Sequence, residues 1–291
     1  MNKSKKLRIA VTGVNGFVAK HTRKLLNQKG VKLFGISRKN YSNYKFESKI
    51  ISPQICINDI SGKLKNCNAL IHLIGTGHQT ANSTYEYINV ELTKKIIQLC
   101  KKTKIKKLVY ISGLGVSKKS VSSYFISKYK AEREIITSGL DYTILRASYI
   151  IGKNDPLIKN LNSQINSGKV IIPGSGNYHL QPIYVNDVAE VIYNSVVSKK
   201  FSNRIIELVG PETITFKEFI NLFKGKNKVK IENIDLENVY YNALHNSKSR
   251  YGVDDLNIMI GDFTGNHNKL KKLCNFKFKT FREILQSRRL S

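Results

Sequence analysis

Short β-branched apolar runs alternate along the chain with longer stretches whose apolar positions recur every three or four residues. Leu7 to Val11 reads as a strand and Gly16 to Lys29 as an amphipathic helix. Lys32 to Ser37 is a second strand, and a third strand region precedes Asn58-Asp59-Ile60. Ala69 to Leu73 follows as the fourth strand, with a helix over about Tyr85 to Lys102. Lys107 to Ile111 reads as a strand, Tyr124 to Ser138 as a helix and Tyr142 to Leu145 as a strand. Strands that are apolar throughout and alternate with helices predict a doubly wound parallel sheet, covered on both faces. The pattern loosens after Arg146. Lys169 to Pro173 and Ile205 to Val209 suit strands, while Asp187 to Ser198 and Phe216 to Phe223 suit helices. Asp187 is expected to cap its helix, and Thr215 with Glu218 fits a capping box. The last stretch is polar and Asn-rich, with a small amphipathic element at Phe281 to Leu285. The expected organisation is a core over 1–150 and a C-terminal substrate lobe over 151–291, interleaved as one structural unit.

Length and cysteine usage narrow the class. The 291 residues suffice for a core without staples, and four scattered cysteines form no Cys-x-x-Cys pair. This argues against a zinc site or disulfide framework and suits a reducing cytoplasm. No apolar run approaches the ~20 residues that span a bilayer. Met1 to Lys6 resembles the charged front of a signal peptide, but Thr12-Gly13 breaks the apolar run behind it, which reads as a buried strand.

The net charge of +29 is lopsided. Residues 1–150 hold 28 Lys/Arg against 7 Asp/Glu, and residues 151–291 hold 21 against 13. A basic surface attracts nucleic acid, anionic lipid or anionic small molecules. The lysines lack interleaved aromatic residues and no nucleic-acid motif is present. Expected partners are therefore a small-molecule substrate and an anionic surface, and lysine-rich coding bias is the plainer source of the charge.

The first strand runs into Thr12-Gly13-Val14-Asn15-Gly16-Phe17-Val18-Ala19. Gly13 turns the chain tightly, Gly16 lets backbone approach a pyrophosphate, and Ala19 packs helix on strand. The helix N-terminus that follows offers free N–H groups to the phosphates. This strand–turn–helix context predicts a Rossmann-type dinucleotide site built from Gly13, Asn15, Gly16, Phe17 and Val18. The second strand ends at Ser37-Arg38, without the acidic residue that binds the ribose of NAD. Arg38 can clamp a 2′-phosphate, so NADP(H) is expected in preference to NAD(H). Asp59 and Ile60 are expected over the adenine, and Leu73, Ile74 and Gly75 beside the cofactor.

Tyr124 and Lys128 lie four apart on one helix face. A neighbouring ammonium favours the ionised phenol and suits proton transfer, and the same lysine can hold the nicotinamide ribose. Tyr41/Lys45 and Tyr149/Lys153 share the spacing, but only Tyr124 opens a helix just after a core strand. His72, inside an apolar strand, reads better as a satisfied core histidine than as a base. Gln181 suits either a loop role or a substrate contact.

Thr12-Gly-x-x-Gly-Phe, Ile71-His-Leu-Ile-Gly75, Asn89-Val90, Tyr110-Ile-Ser-Gly-Leu-Gly115 and Tyr124-x-x-x-Lys128 occur in the order of the short-chain dehydrogenase/reductase superfamily. Leu145-Arg-Ala-Ser148, Ile172-Pro-Gly-Ser-Gly176, Gln181 to Asp187 and Glu207 to Glu212 resemble its extended and atypical branches. Those include the epimerase/dehydratase group and the group containing the NADPH-binding accessory subunit of respiratory complex I. The resemblance covers about 7–225. It implies Tyr124 as acid/base, Lys128 as its partner and Ser112 as a substrate-orienting hydroxyl; Ser122 and Ser123, just before Tyr124, suit either substitutes for that hydroxyl or caps of the helix. Gly113 stands where many epimerases carry the serine, and Ala147 where the family often has proline. Two readings stay open: an NADP-dependent oxidoreductase or epimerase, and a non-catalytic NADPH-binding protein. The expected location under either is the cytoplasm or the periphery of a membrane, and the second implies attachment to a respiratory complex or a membrane surface. Specificity is expected in the loops at 76–84, 149–180 and 240–267.

Overall fold

The structure, a computed structural model, describes residues 6–80, 83–246, 249 and 251–287. The first five residues of the basic start, and 81–82, 247–248 and 250 of the expected specificity loops, lie outside the described residues.

The first half runs β1 (Arg8–Thr12), α1 (Phe17–Gln28), β2 (Lys32–Ser37), β3 (Glu47–Ile51), α2 (Ile57–Ser61) and β4 (Ala69–His72). A π-helix at Glu86–Glu91 leads into α3 (Leu92–Thr103), followed by β5 (Lys107–Gly113), α4 (Ser123–Ile136) and β6 (Asp141–Ala147). The second half holds the short β7 (Ile150–Ile151), α5 (Pro156–Asn166), β8 (Lys169–Pro173), β9 (His179–Leu180) and β10 (Ile183–Tyr184). It continues through α6 (Val185–Val197), β11 (Arg204–Leu208), β12 (Ile214–Thr215), α7 (Phe216–Lys224) and β13 (Lys230–Ile234). Four short helices close the chain: α8 (Leu236–His245), α9 (Val253–Met259), α10 (His267–Leu273) and α11 (Phe281–Gln286).

Seven strands form one sheet in the order β11-β6-β5-β4-β1-β2-β3, and every neighbouring pair is parallel. Because side chains alternate across a strand, Ile9 and Val11 join the core under α1 and α6, while Ala10 joins the core under α2, α3 and α4. Both faces are thus covered, the doubly wound arrangement that the apolar strands predict. Because all the strands are parallel, the loops after β1, β4 and β5 leave from one edge, and the strand order switches direction between β1 and β4, where ligands of such sheets bind.

Residues after 150 build two things. β11 pairs with β6 and α6 packs on α1, so this half completes the sheet. The remainder encloses a separate core of Ile158, Leu161, Ile172, Phe216, Phe219 and Phe281. Phe219 stacks on Phe281 with ring centroids 4.4 Å apart, which ties α11 to α7.

Two local expectations change. Asp187 does not cap α6; the helix starts straight from β10 with Tyr184 at the N-cap, and Asp187 accepts from the Lys279 backbone N–H at 2.8 Å. Thr215 caps α7 through the Glu218 N–H, yet the Glu218 carboxylate reaches Arg282 instead of closing the box.

Candidate functional site

The turn between β1 and α1 is built around two glycines. Gly13 sits at φ +72, in left-handed space, and a Cβ there would lie 2.7 Å from the Leu73 carbonyl oxygen. Only glycine lets the turn pass that close to the end of β4. Gly16 is the N-cap of α1, and the helical ladder begins with Lys20 N–H donating to the Gly16 carbonyl. The N–H groups before Lys20 therefore project from the helix start as anion donors.

These groups open on a cleft of about 430 Å³ lined by Gly13, Asn15 and Gly16, by Ser37 and Arg38, and by Leu73, Ile74 and Gly75. Arg38 is exposed at the rim and makes no ion pair with another described residue. Asn15 donates to Ser37 Oγ at 3.4 Å, linking the turn to the end of β2. Phe17 and Val18 instead turn their side chains into the adjoining pocket. Asp59 and Ile60 do not line the cleft. They fall in α2, where Ile60 is fully buried in the core and Asp59 faces water. Ser52, Pro53 and Ile55 form that wall instead, with Ile55 at φ +53 turning the chain toward it.

The cleft rests on a buried ion pair. Arg23 of α1 holds Glu47 of β3 through two bonds of 2.8 Å, and donates to the carbonyl of Val14 inside the glycine turn at 2.9 Å. Tyr41 donates to Gly35 O and Glu47 Oε1, and a Cβ at Gly35 would fall 2.0 Å from the Tyr41 hydroxyl. Glycine in the middle of β2 is therefore a packing requirement.

A second pocket of about 320 Å³ adjoins this cleft, lined by Ser112, Gly113, Tyr124, Ala147, Ser148 and Tyr149 together with Phe17, Phe125, Ile258 and Phe263. A Cβ on Gly113 would stand 3.3 Å from the Tyr124 hydroxyl, so the backbone beside that hydroxyl carries no side chain. The buried Ser112 Oγ has no hydrogen-bond partner among the described residues. Burial pushes the Tyr124 phenol up to about 12. Lys128 donates to the Tyr110 hydroxyl and the Ile111 carbonyl, both at 2.8 Å. Burial lowers Lys128 to about 7, with the Glu132 carboxylate partly opposing the shift. A Cβ on Gly75 would sit 3.5 Å from Lys128 Nζ, so the lysine spans from α4 to the cleft. Ser122 occupies the N-cap position of α4, but its hydroxyl binds Asp254 and leaves the helix end without a side-chain cap.

A model of the NAD dependent epimerase/dehydratase family matches residues 9–207. The chain belongs to this family. Over 225 residues it is 27% identical to the Dictyostelium discoideum protein named NADH dehydrogenase [ubiquinone] 1 alpha subcomplex subunit 9, mitochondrial, covering 73% of this chain and 62% of that one. The chain thus spans less than two thirds of the curated relatives it matches first. A Staphylococcus aureus nucleoside-diphosphate-sugar epimerase has the same fold, with a TM-score of 0.78 at 17% identity over 96% of this chain and 100% of that one. A Bacillus cereus UDP-glucuronic acid 4-epimerase, solved with UDP-glucuronic acid and NAD, follows at TM-score 0.66 and 19% identity over 79% of this chain and 86% of that one. These matches bear out the epimerase/dehydratase resemblance and the doubly wound fold.

Other residues of this family member have roles that sequence reasoning gave no hint of, or left open. His72 is buried and neutral, held between Thr12 and Thr93 hydroxyls at 2.8 and 3.2 Å, with burial lowering it to about 3. Gln181 clasps Gly210 and Gly265 backbone and does not line the pocket. Asn89 fastens the Thr76 backbone to Ser127 of α4, bracing the end of β4. Glu132 pairs with Arg146 through two bonds of 3.0 and 2.6 Å; its spacing of four from Lys128, itself four from Tyr124, is the signal that could have found it. Asp254 of α9 accepts from both Tyr85 and Ser122, and Phe263 packs edge-on against Phe125. No sequence signal links that segment, more than a hundred residues away along the chain, to Tyr124. Among the described residues no group of acidic, His and Cys side chains could hold a metal, and no helix is long and apolar enough to cross a membrane.

Proposed function

We propose that this chain binds NADP(H) across the Gly13–Gly16 turn and uses Tyr124 as the proton donor for hydride transfer at the adjoining pocket. The observation carrying this reading is the pair of hydroxyls at that pocket. Ser112 Oγ is enclosed without a partner among the described residues, and Ser112 and Tyr124 both line the pocket that Phe17 and Val18, next to the glycine turn, also line. A buried hydroxyl without a partner costs roughly 1–3 kcal/mol, so its retention suits a ligand that completes its hydrogen bonds. The cofactor supplies the hydride. Tyr124 holds its proton at neutral pH, since its phenol is raised to about 12, and would deliver it to a substrate oxygen. Ser112 would orient that oxygen, and Lys128 below about pH 7 would stand as a cation behind both. Arg38, free at the rim, supports the choice of NADP(H) over NAD(H).

The second reading is a protein that holds NADPH without turnover, attached to a respiratory complex at a membrane. Gly113 beside the Tyr124 hydroxyl favours it, because a side chain is missing at that point. The names of the curated relatives favour it too. The two readings part on Tyr124→Phe. A screen of nucleotide sugars, quinones and small ketones with NADPH comes first. For an active substrate, the catalytic reading expects turnover to fall roughly 10²–10⁴-fold with cofactor affinity kept. Full activity in Tyr124→Phe would overturn the assignment, and no turnover with tight NADPH binding supports the second reading.

A further inference from the structure

In an all-parallel sheet every strand starts at the same edge, here the edge opposite the cofactor cleft. Arg8 of β1 stands in register with Lys32 of β2, Ala69 of β4 with Lys107 of β5, and Lys107 with Asp141 of β6. Lysines separated widely in sequence therefore meet along one line. Lys6 and Lys32 flank the starts of β1 and β2. Lys63 and Lys65 precede β4, and Lys104 and Lys106 precede β5. Lys199, Lys200 and Arg204 lie at the start of β11. All of these are exposed, and none makes an ion pair with another described residue. The carboxylates on this edge are already spent: Glu47 on Arg23, Asp141 on Lys107 and Glu190 on Lys29. The seven strand starts extend over roughly 30 Å at the ~4.8 Å spacing of strands.

Helix dipoles explain part of this, because α1 and α3 end at the same edge at Lys29 and Lys104. Lys63 and Lys65 end only the short helical segment 57–64, and Arg204 opens β11 beyond the helical turn at Lys199–Phe201, so helix dipoles account for little of their placement. We propose that this edge is a docking surface for an anionic lipid bilayer, which leaves the cofactor cleft facing the water. The cations are mostly lysines on a line, suited to diffuse attraction by many headgroups and not to bidentate reading of one phosphate. Nucleic acid is the poorer match. Of the aromatic rings on this edge, Phe34 and Phe46 are covered by the chain's own cations, with Lys6 3.8 Å from the Phe46 centroid and Arg8 4.7 Å from that of Phe34, and Tyr142 packs half-buried against the core. They are not free to stack on bases.

Co-sedimentation tests this with the full chain. Wild type should bind vesicles mixing phosphatidylserine into phosphatidylcholine, not vesicles of phosphatidylcholine alone, and raised salt should release it. Each cation near an anionic leaflet contributes about fivefold. Lys63→Glu, Lys65→Glu, Lys104→Glu and Lys106→Glu together should then weaken partitioning roughly a hundredfold or more. Lys118→Glu, Lys119→Glu, Lys226→Glu and Lys228→Glu, an exposed set away from this edge, should weaken it far less. Thermal melts of both sets, and a parallel Lys→Gln set at the four edge positions, separate charge from misfolding. Equal losses in the two reversal sets, binding to double-stranded DNA with none to anionic vesicles, or indifference to lipid charge would each overturn the proposal.

Discussion

At the scale of single residues, burial decides what each ionisable group can do. Lys128 has its ordinary spacing from Tyr124, yet its amine is spent on Tyr110 and Ile111 and loses its charge near pH 7. Its folded-state value lies below that of a free lysine. Between about 7 and 10.5 the unfolded chain therefore holds a proton that the native chain lacks. Stability contributed by this group rises with pH across that window, and the desolvation penalty is full below it. Denaturant unfolding of wild type and Lys128→Met should show the wild type gaining relative stability as pH rises from 7 towards 10. A constant difference would mean that the amine keeps its charge. Arg38 poses the opposite case, an exposed cation that pairs with no other described residue at the mouth of the cleft. A charged hydrogen bond contributes about 1.5–3 kcal/mol, so Arg38→Ala should weaken NADPH binding about 10- to 150-fold and leave NADH nearly unchanged. Calorimetry with both cofactors checks this, and equal losses would assign Arg38 a structural part.

At the scale of elements, the glycine turn is held in place from behind. Arg23 ties α1 to β3 and to the Val14 carbonyl at once, and its carboxylate partner is almost fully buried. Removing one member of such a pair leaves an uncompensated buried charge, at a cost of about 3–5 kcal/mol. Glu47→Ala should lower stability by that amount and weaken dinucleotide binding, because the turn loses its brace. The double change Arg23→Met with Glu47→Leu should recover much of the stability, as replacing a buried pair with apolar residues is often neutral. A melt of the three variants beside wild type measures both effects. If Glu47→Ala unfolds at the wild-type temperature, the pair carries no such load. The elements themselves were largely legible. The strands β1, β2, β4, β5 and β6 and the helices α1 and α4 lie within about two residues of their expected bounds. Their apolar runs and periodicity follow from burial on a sheet. The Arg23–Glu47 pair was not legible, because two charges 24 positions apart leave no periodic mark.

At the scale of the whole molecule, the two halves of the chain share one sheet. β6 would be an open edge without β11, and Leu145 shares one hydrophobic core with Ile183, Val188, Leu270 and Phe278 from the second half. Residues 1–150 alone should therefore fail to unfold cooperatively and should aggregate through that edge. Calorimetry of the fragment tests this, and a sharp transition would show that the first half folds by itself.

What chain order alone settles here is local. The Gly13–Gly16 turn needs glycine wherever it occurs, and Tyr124 and Lys128 share a helix face by spacing, so both were readable without a fold. Asp59 and Ile60 marked the limit of that reading. Their place near the third strand was right, but whether they face the cleft depends on the turn at Ile55, which only packing determines. The same holds for the latch from Asp254 to Ser122 and Tyr85, and for the lysines gathered at one sheet edge. Contacts between segments far apart are chosen by the topology of the sheet and the closing of its cores, and no window of sequence contains them.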